Sequence, residues 1–297
     1  MALDSIIISA IAKQLNVEPH EIIAQALKTE VLVSDATLKF LVYTTGNKQP
    51  KAFVLISPAK KPNTIKSGHM KLRGLANNVG SKLAQNLLIP LELGESNGLS
   101  YSISAYHRSL HNTFLLKQVD NWCVSASLVN WVIDVAKATK ASASVVEIET
   151  QFTQPLMALS QANDVKQAYK NSIVEAIEAI NNGAWQPYFV NAHNDLWRGN
   201  VLSSNNTKFV LIDWDGVTLK GYAFYDLVRV AGSFNLSKAK FQVALQQYCG
   251  VMGCDKKQAK YYLISAFAFL YADLGEWQYE RFLILLNDCM EFFDCNA

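Results

Sequence analysis

The sequence predicts an α+β fold in two parts: a small antiparallel sheet followed by a mainly helical body. Three observations carry this. The apolar runs Leu38 to Thr44, Ala52 to Ser57, Leu88 to Leu93 and Ser100 to Tyr106 are separated by turn signals such as Gly46-Asn47-Lys48 and Asn97-Gly98, the pattern of short strands joined by turns. Longer segments with apolar residues at helical spacing dominate the second half, clearest in Val165, Tyr169, Ile173, Ile177 and Ile180, which repeat on one face of a helix. At 297 residues, the chain has room for two lobes and a substantial core.

Taken in order, Ile7, Ile8, Ile11 and Leu15 place a helix over Ser5 to Leu15. Glu18-Pro19-His20-Glu21 predicts a second helix running to about Lys28, because proline suits a first helical turn. Val31-Leu32-Val33 reads as the first strand, before those at Leu38 and Ala52. A helix over Ser67 to Gln85 is weakened by Gly68, Gly74 and Gly80. Helices over Leu128 to Lys140 and Asp164 to Asn182 flank a Ser-, Thr- and Gln-rich connection, Ala141 to Gln161, expected to be irregular or short-helical. Asn181-Asn182-Gly183 is a helix stop. Four further helices are expected: Tyr225 to Phe234, Ser237 to Cys249, Lys256 to Leu274, and Glu276 to the end.

Composition excludes several function classes. A net charge of +2 offers no basic field for nucleic acid. Five cysteines without a C-x-x-C pair (Cys123, Cys249, Cys254, Cys289, Cys295) read as reduced thiols rather than a disulfide or zinc framework. Met1-Ala2-Leu3-Asp4 lacks the basic start of a secretory signal. The apolar stretch Tyr261 to Ala272 is too short to span a bilayer. The expectation is a cytoplasmic protein with neither a membrane nor a nucleic-acid partner.

Chemistry concentrates between Val190 and Gly216. Asp195 and Asn200 lie five apart in a short loop, and Asp213 follows the apolar run Phe209 to Ile212. Val201-Leu202, the turn Ser203 to Asn206 and the return run Lys208 to Ile212 form a hairpin pattern, which brings Asn200 and Asp213 to one end of two paired strands. Metal-assisted phosphoryl transfer needs such a set: one carboxylate takes the proton of an attacking hydroxyl, while an amide and a second carboxylate hold Mg²⁺ against nucleotide phosphates. Taken singly, Asp-x-x-x-x-Asn is turn chemistry, Asp213 a cap and His193 a satisfied core histidine; their combination in one hairpin is what points to a site.

His193-x-Asp195-x-x-x-x-Asn200, Ile212-Asp213-Trp214 and Tyr225-Asp226-Leu227 together resemble the catalytic and metal-binding segment of the aminoglycoside phosphotransferase and choline kinase families. The resemblance implies a two-lobed protein-kinase-like fold, with a small antiparallel β-sheet N-lobe (1–108) and a mainly helical C-lobe (109–297). It implies ATP and Mg²⁺ as cofactors, Asp195 as base, Asn200 and Asp213 as metal ligands, and His193 and Asp226 as supports of the loop. The backbone of Ala105 and Tyr106 would receive adenine, with Lys60 among the lysines (Lys60, Lys61, Lys66, Lys71) able to contact phosphate. The acceptor would be a small-molecule hydroxyl compound. Trp197 and Arg198 beside the base, and Asp273 and Trp277 on the late helices, would line its pocket, the last two suiting a cationic acceptor. Asp215 lies beside the metal site.

The sequence departs from these families in one respect. The lysine expected on the third strand is replaced, at a position read as Ile56, and Ser67 to Gln85 contains no glutamate to pair with it. The turn at Gly46 has too few glycines for a phosphate cradle. Two activities therefore stand side by side: a small-molecule kinase, or a catalytically weak or inactive kinase-like nucleotide-binding protein.

Overall fold

The computed structural model describes residues 3–27, 37–275 and 278–297. The expected strand Val31 to Val33 and the expected acceptor residue Trp277 lie outside them.

Helix α1 (Ser5–Leu15) begins at Asp4, whose side chain accepts from the Ile6 N–H at 2.7 Å, satisfying one orphan donor of the first turn. The second helix is not formed. Pro19–Glu21 is a single 3₁₀ turn, and the chain passes directly into strand β1 (Ile22–Ala26). The proline signal was local, whereas β1 pairs antiparallel along its whole length with β2 (Leu38–Thr44); sheet pairing overrides a short helix tendency. The N-lobe thus has one leading helix.

Next come β3 (Ala52–Ile56), α2 (Thr64–Ala84), β4 (Glu92–Ser96) and β5 (Leu99–Ala105). The five strands form one sheet in the order β1-β2-β3-β5-β4. Strand alternation divides its faces. Phe40, Val42, Ala52, Val54, Ile56, Tyr101 and Ile103 pack with Ile7 and Ile11 of α1 in a small core of their own. Ile56 therefore points toward α1, and the reading of it as the replaced lysine is corrected. The neighbouring Leu55, opposite Lys39 and Ser102 in the register, occupies the other face. A one-residue slip exchanges the faces of a strand, which is why the sequence alone misplaced it.

Two-residue strand β6 (Arg108–Ser109) contains the expected lobe boundary. It is followed by α3 (Phe114–Thr139), β7 (Ala141–Ser142), α4 (Val145–Ile148), a π-turn (Glu149–Thr153), α5 (Gln154–Ser160) and α6 (Gln167–Asn181). Helix α3 starts well before Leu128 because its first turns expose Phe114, Leu115, Val119 and Trp122, so no buried stripe announces them. The connection, expected to be irregular or short-helical, is short-helical and well packed: Phe152, Leu156 and Leu159 are fully buried.

The remaining elements are β8 (Tyr188–Ala192), the hairpin β9 (Val201–Ser204) and β10 (Lys208–Leu211), β11 (Thr218–Tyr222), and helices α7 (Tyr225–Ser233), α8 (Lys238–Met252), α9 (Lys256–Ala272) and α10 (Tyr279–Asn296). Leu72, Leu75 and Val79 of α2 join the large core of these helices rather than the sheet core. That core includes an aromatic cluster in which Phe152 meets Trp185, Phe189 and Tyr222 at ring-centroid distances of 5.9, 5.3 and 5.1 Å. Among the described residues, no helix is long and apolar enough to cross a membrane.

Candidate active site

The site grows from the end of β8. Asp226, in the first turn of α7, accepts the backbone N–H groups of His193 at 2.7 Å and Asn194 at 3.0 Å, one with each oxygen. Two backbone donors, one of them buried, are thus satisfied by one buried carboxylate, which fixes the loop that follows. Burial pushes the Asp226 carboxyl up, opposed by the His193 charge and these two N–H donors. His193 Nε2 bonds the Ile212 carbonyl at 3.0 Å and its ring packs 4.8 Å from that of Trp214. One histidine therefore joins the loop to the segment carrying Asp213.

The hairpin does the rest. Val201 pairs with Leu211, and the Ile212 N–H donates to the Asn200 carbonyl at 3.1 Å, so Asn200 and Asp213 flank the same ladder end. Asp213 has φ 68°, a left-handed conformation uncommon outside glycine that turns the chain sharply after the strand. Asn200 Nδ2 donates to the Asp195 carbonyl and to Asp195 Oδ2, both at 2.8 Å, which leaves the Asn200 amide oxygen as a hard donor atom. Burial raises the Asp195 carboxyl, Arg229 opposes this, and the Asp213 charge adds to the rise. Asp215 is raised in the same way, by loss of surrounding water and then by Asp213, with Lys71, Lys39 and Lys61 opposing. The Asp213 charge thus acts on both neighbouring carboxyls. Among the described residues no three His, Cys, Asp or Glu side chains group as a metal site by themselves. The oxygens of Asp213 and the Asn200 amide are of the hard type that suits Mg²⁺, an ion commonly held by one or two carboxylates together with phosphates and water.

The other expected residues are placed as follows. Ala105 closes β5 opposite Ala52, and the Tyr106 N–H, one of the backbone groups expected to receive adenine, donates to the Lys51 carbonyl at 3.1 Å. Strand β6 then pairs with β9, linking this connection directly to the β9–β10 hairpin. Lys60 lies on an exposed turn between β3 and α2. Trp197 is 45% exposed and folds over Gly199. Arg198 reaches Asn121 Oδ1 and Asn112 Oδ1, each at 3.0 Å, and the His111 carbonyl, bracing the loop against the start of α3. Asp273 caps the end of α9 and is exposed.

Two groups were missed by the sequence reading. Arg229 Nη2 lies 3.3 Å from Asp195 Oδ1; its position one turn after Asp226 on a helix was the available signal. Lys39 shares a sheet face with Leu55 and acts on Asp215. Lys71 Nζ, one of the four lysines considered, donates to the Asp215 carbonyl at 2.6 Å.

No protein-family model matches the sequence, and no curated protein matches it. Solved structures do match. A thermostable mutant of aminoglycoside phosphotransferase APH(4)-Ia aligns at TM-score 0.54 and 14% identity, covering 97% of this chain and 99% of that one. The GDP complex of aminoglycoside 2′-phosphotransferase-IIIa aligns at TM-score 0.55 and 12% identity over 93% of both chains. Choline kinase LicA from Streptococcus pneumoniae aligns at TM-score 0.53 and 11% identity over 98% of both. The chain has the two-lobed kinase-like fold of the aminoglycoside phosphotransferases and choline kinase.

Proposed function

We propose that this chain is an ATP- and Mg²⁺-dependent phosphotransferase that moves the γ-phosphoryl group to a hydroxyl of a small molecule. The observation that carries the reading is the convergence of Asp195, Asn200 and Asp213 on one loop and hairpin end. Asn200 and Asp213 are the residues that would hold Mg²⁺, which supplies charge neutralisation for the phosphates. Asp195 accepts the proton of the acceptor hydroxyl at Oδ1, while Asn200 holds Oδ2 and so fixes the orientation of the base. His193 and Asp226 keep the loop and the Asp213 segment in register. Lys39, Lys61 and Lys71, grouped electrostatically about Asp215, supply the cations that the third strand lacks. Lobes of 1–108 and 109–297 enclose the nucleotide, and the five unpaired thiols suit work in the cytoplasm.

Asp195→Ala and Asp213→Ala are expected to abolish nucleoside-diphosphate release while leaving circular dichroism and melting unchanged. Undiminished turnover in either variant removes the mechanism. A second reading, a kinase-like protein that binds nucleotide without transfer, is favoured by Phe53 and Leu55 on the sheet face where a lysine is expected and by a glutamate-free α2. Metal-dependent ATP affinity measured by calorimetry, with no turnover across a panel of amino alcohols, aminoglycosides and sugars, would select it.

A further inference from the structure

The first turns of α3 are apolar on the side turned away from the rest of the chain. Asp120, Asn121, Val124, Ser125 and Leu128 form the buried side, and Val124 and Leu128 belong to the large core. On the opposite side, Leu115 is 75% exposed, Leu116 47%, Val119 55% and Trp122 76%. Cys123 and Ala126 continue this side and are exposed as well. Leu115, Val119, Trp122 and Ala126 follow one another at steps of four, three and four residues, the spacing of a helix seam that meets a second helix.

The band is bounded. Asn112 and Thr113 precede it, and beyond Ala126 the same side turns polar with Asn130, Asp134 and Lys137, all exposed. With Phe114 at its edge, 75% exposed, the band offers on the order of 600 Å² of apolar surface, the upper end of what a monomer leaves uncovered. A stable dimer buries about 800 Å² on each partner, so the band with part of its polar rim is the amount one face of a dimer needs. Charge does not oppose such a contact. Between Leu115 and Ala126 the charged residues are Lys117, half-buried on another side of the helix, and Asp120, buried and paired with Arg108 and His111. Helices that lie in a membrane surface carry lysines and arginines along their polar flank, and one lysine does not make such a flank.

We propose that two copies of this chain pair through the first half of α3, the two helices running antiparallel across a two-fold axis at Val119. Such an interface uses the same patch on both copies: Val119 meets its own counterpart, Leu115 meets the partner's Cys123, and Leu116 meets the partner's Trp122. The pairing reaches the candidate site through the start of the helix. Arg198, in the loop that follows Asp195, bonds Asn112 Oδ1, Asn121 Oδ1 and the His111 carbonyl, so a dimer steadies the segment on which that loop is braced. The pairing stands whether or not the chain transfers phosphate.

The test is sedimentation equilibrium of the full chain. The 33.0 kDa chain should sediment at twice that mass, with a dimer Kd of about 1 µM or tighter. Val119→Glu sets two carboxylates against each other at the axis and should weaken pairing about 100-fold or more. Trp122→Glu should weaken it too, whereas Val146→Glu, at a valine 70% exposed on α4, should leave it intact. Should Val119→Glu fail to melt cooperatively, Val119→Cys in a Cys123→Ser background decides: a short bis-maleimide should join two copies through that residue. A monomer at every concentration, a dimer indifferent to both α3 charges, or no crosslink at position 119 overturns the proposal. So does a monomer that binds vesicles of phosphatidylcholine and phosphatidylserine and loses them on Trp122→Glu, which assigns the band to a membrane surface instead.

Discussion

Gly68 of α2 approaches Asp215 so closely that a Cβ added there would stand 2.8 Å from Asp215 Oδ1. The helix that reaches down from the small lobe is thereby seated on the residues after Asp213, and Lys71 one turn later bonds the Asp215 carbonyl at 2.6 Å. A glycine that costs the helix stability is what permits the lobes to meet at the site.

Gly68→Ala separates these two effects. Alanine gains up to about 1 kcal/mol of helix propensity, and the clashing atom is the end of a side chain that can turn away. Melting temperature should hold or rise slightly, while displacement of Asp215 and its lysines lowers turnover on the order of 10-fold or more. Steady-state kinetics beside a thermal melt checks both.

Asn200→Ala removes the amide oxygen assigned to Mg²⁺ and the two bonds from Nδ2 to Asp195. The magnesium concentration giving half-maximal activity should rise on the order of 10-fold or more, with acceptor KM changed less. A magnesium titration at saturating nucleotide measures this, and an unchanged midpoint would discard Asn200 as a ligand.

Phe152→Ala should cost about 3–5 kcal/mol, since the ring is fully buried between three other aromatic rings. The midpoint of urea unfolding should fall with little change in slope.

Glu147 gives a pH prediction away from the site. The Lys220 ammonium, with the backbone and hydroxyl of Ser144, holds its carboxyl down to about 2. The unfolded chain binds this proton at about pH 4.3, so the native state gains stability above that pH and loses it as pH falls toward 2. Glu147→Gln should therefore flatten the acid limb of melting temperature between these values, and a limb of unchanged steepness would contradict it.

Local sequence determined much of this protein. Alternating apolar runs and turn residues located the small sheet, because strand periodicity and turn chemistry are local properties. The spacing from His193 to Asp213 located the hairpin that brings Asn200 and Asp213 together. Other features needed the third dimension. Whether Pro19 opened a helix or preceded a strand depended on the partner strand β2, and the inward face of β3 depended on a register that a single residue reverses. Arg229 acquired its place only when α7 packed beneath the loop carrying Asp195, thirty-four residues earlier in the chain. A side chain's partners across such a distance are set by packing of whole elements, and that packing decided what kind of charge the base would meet.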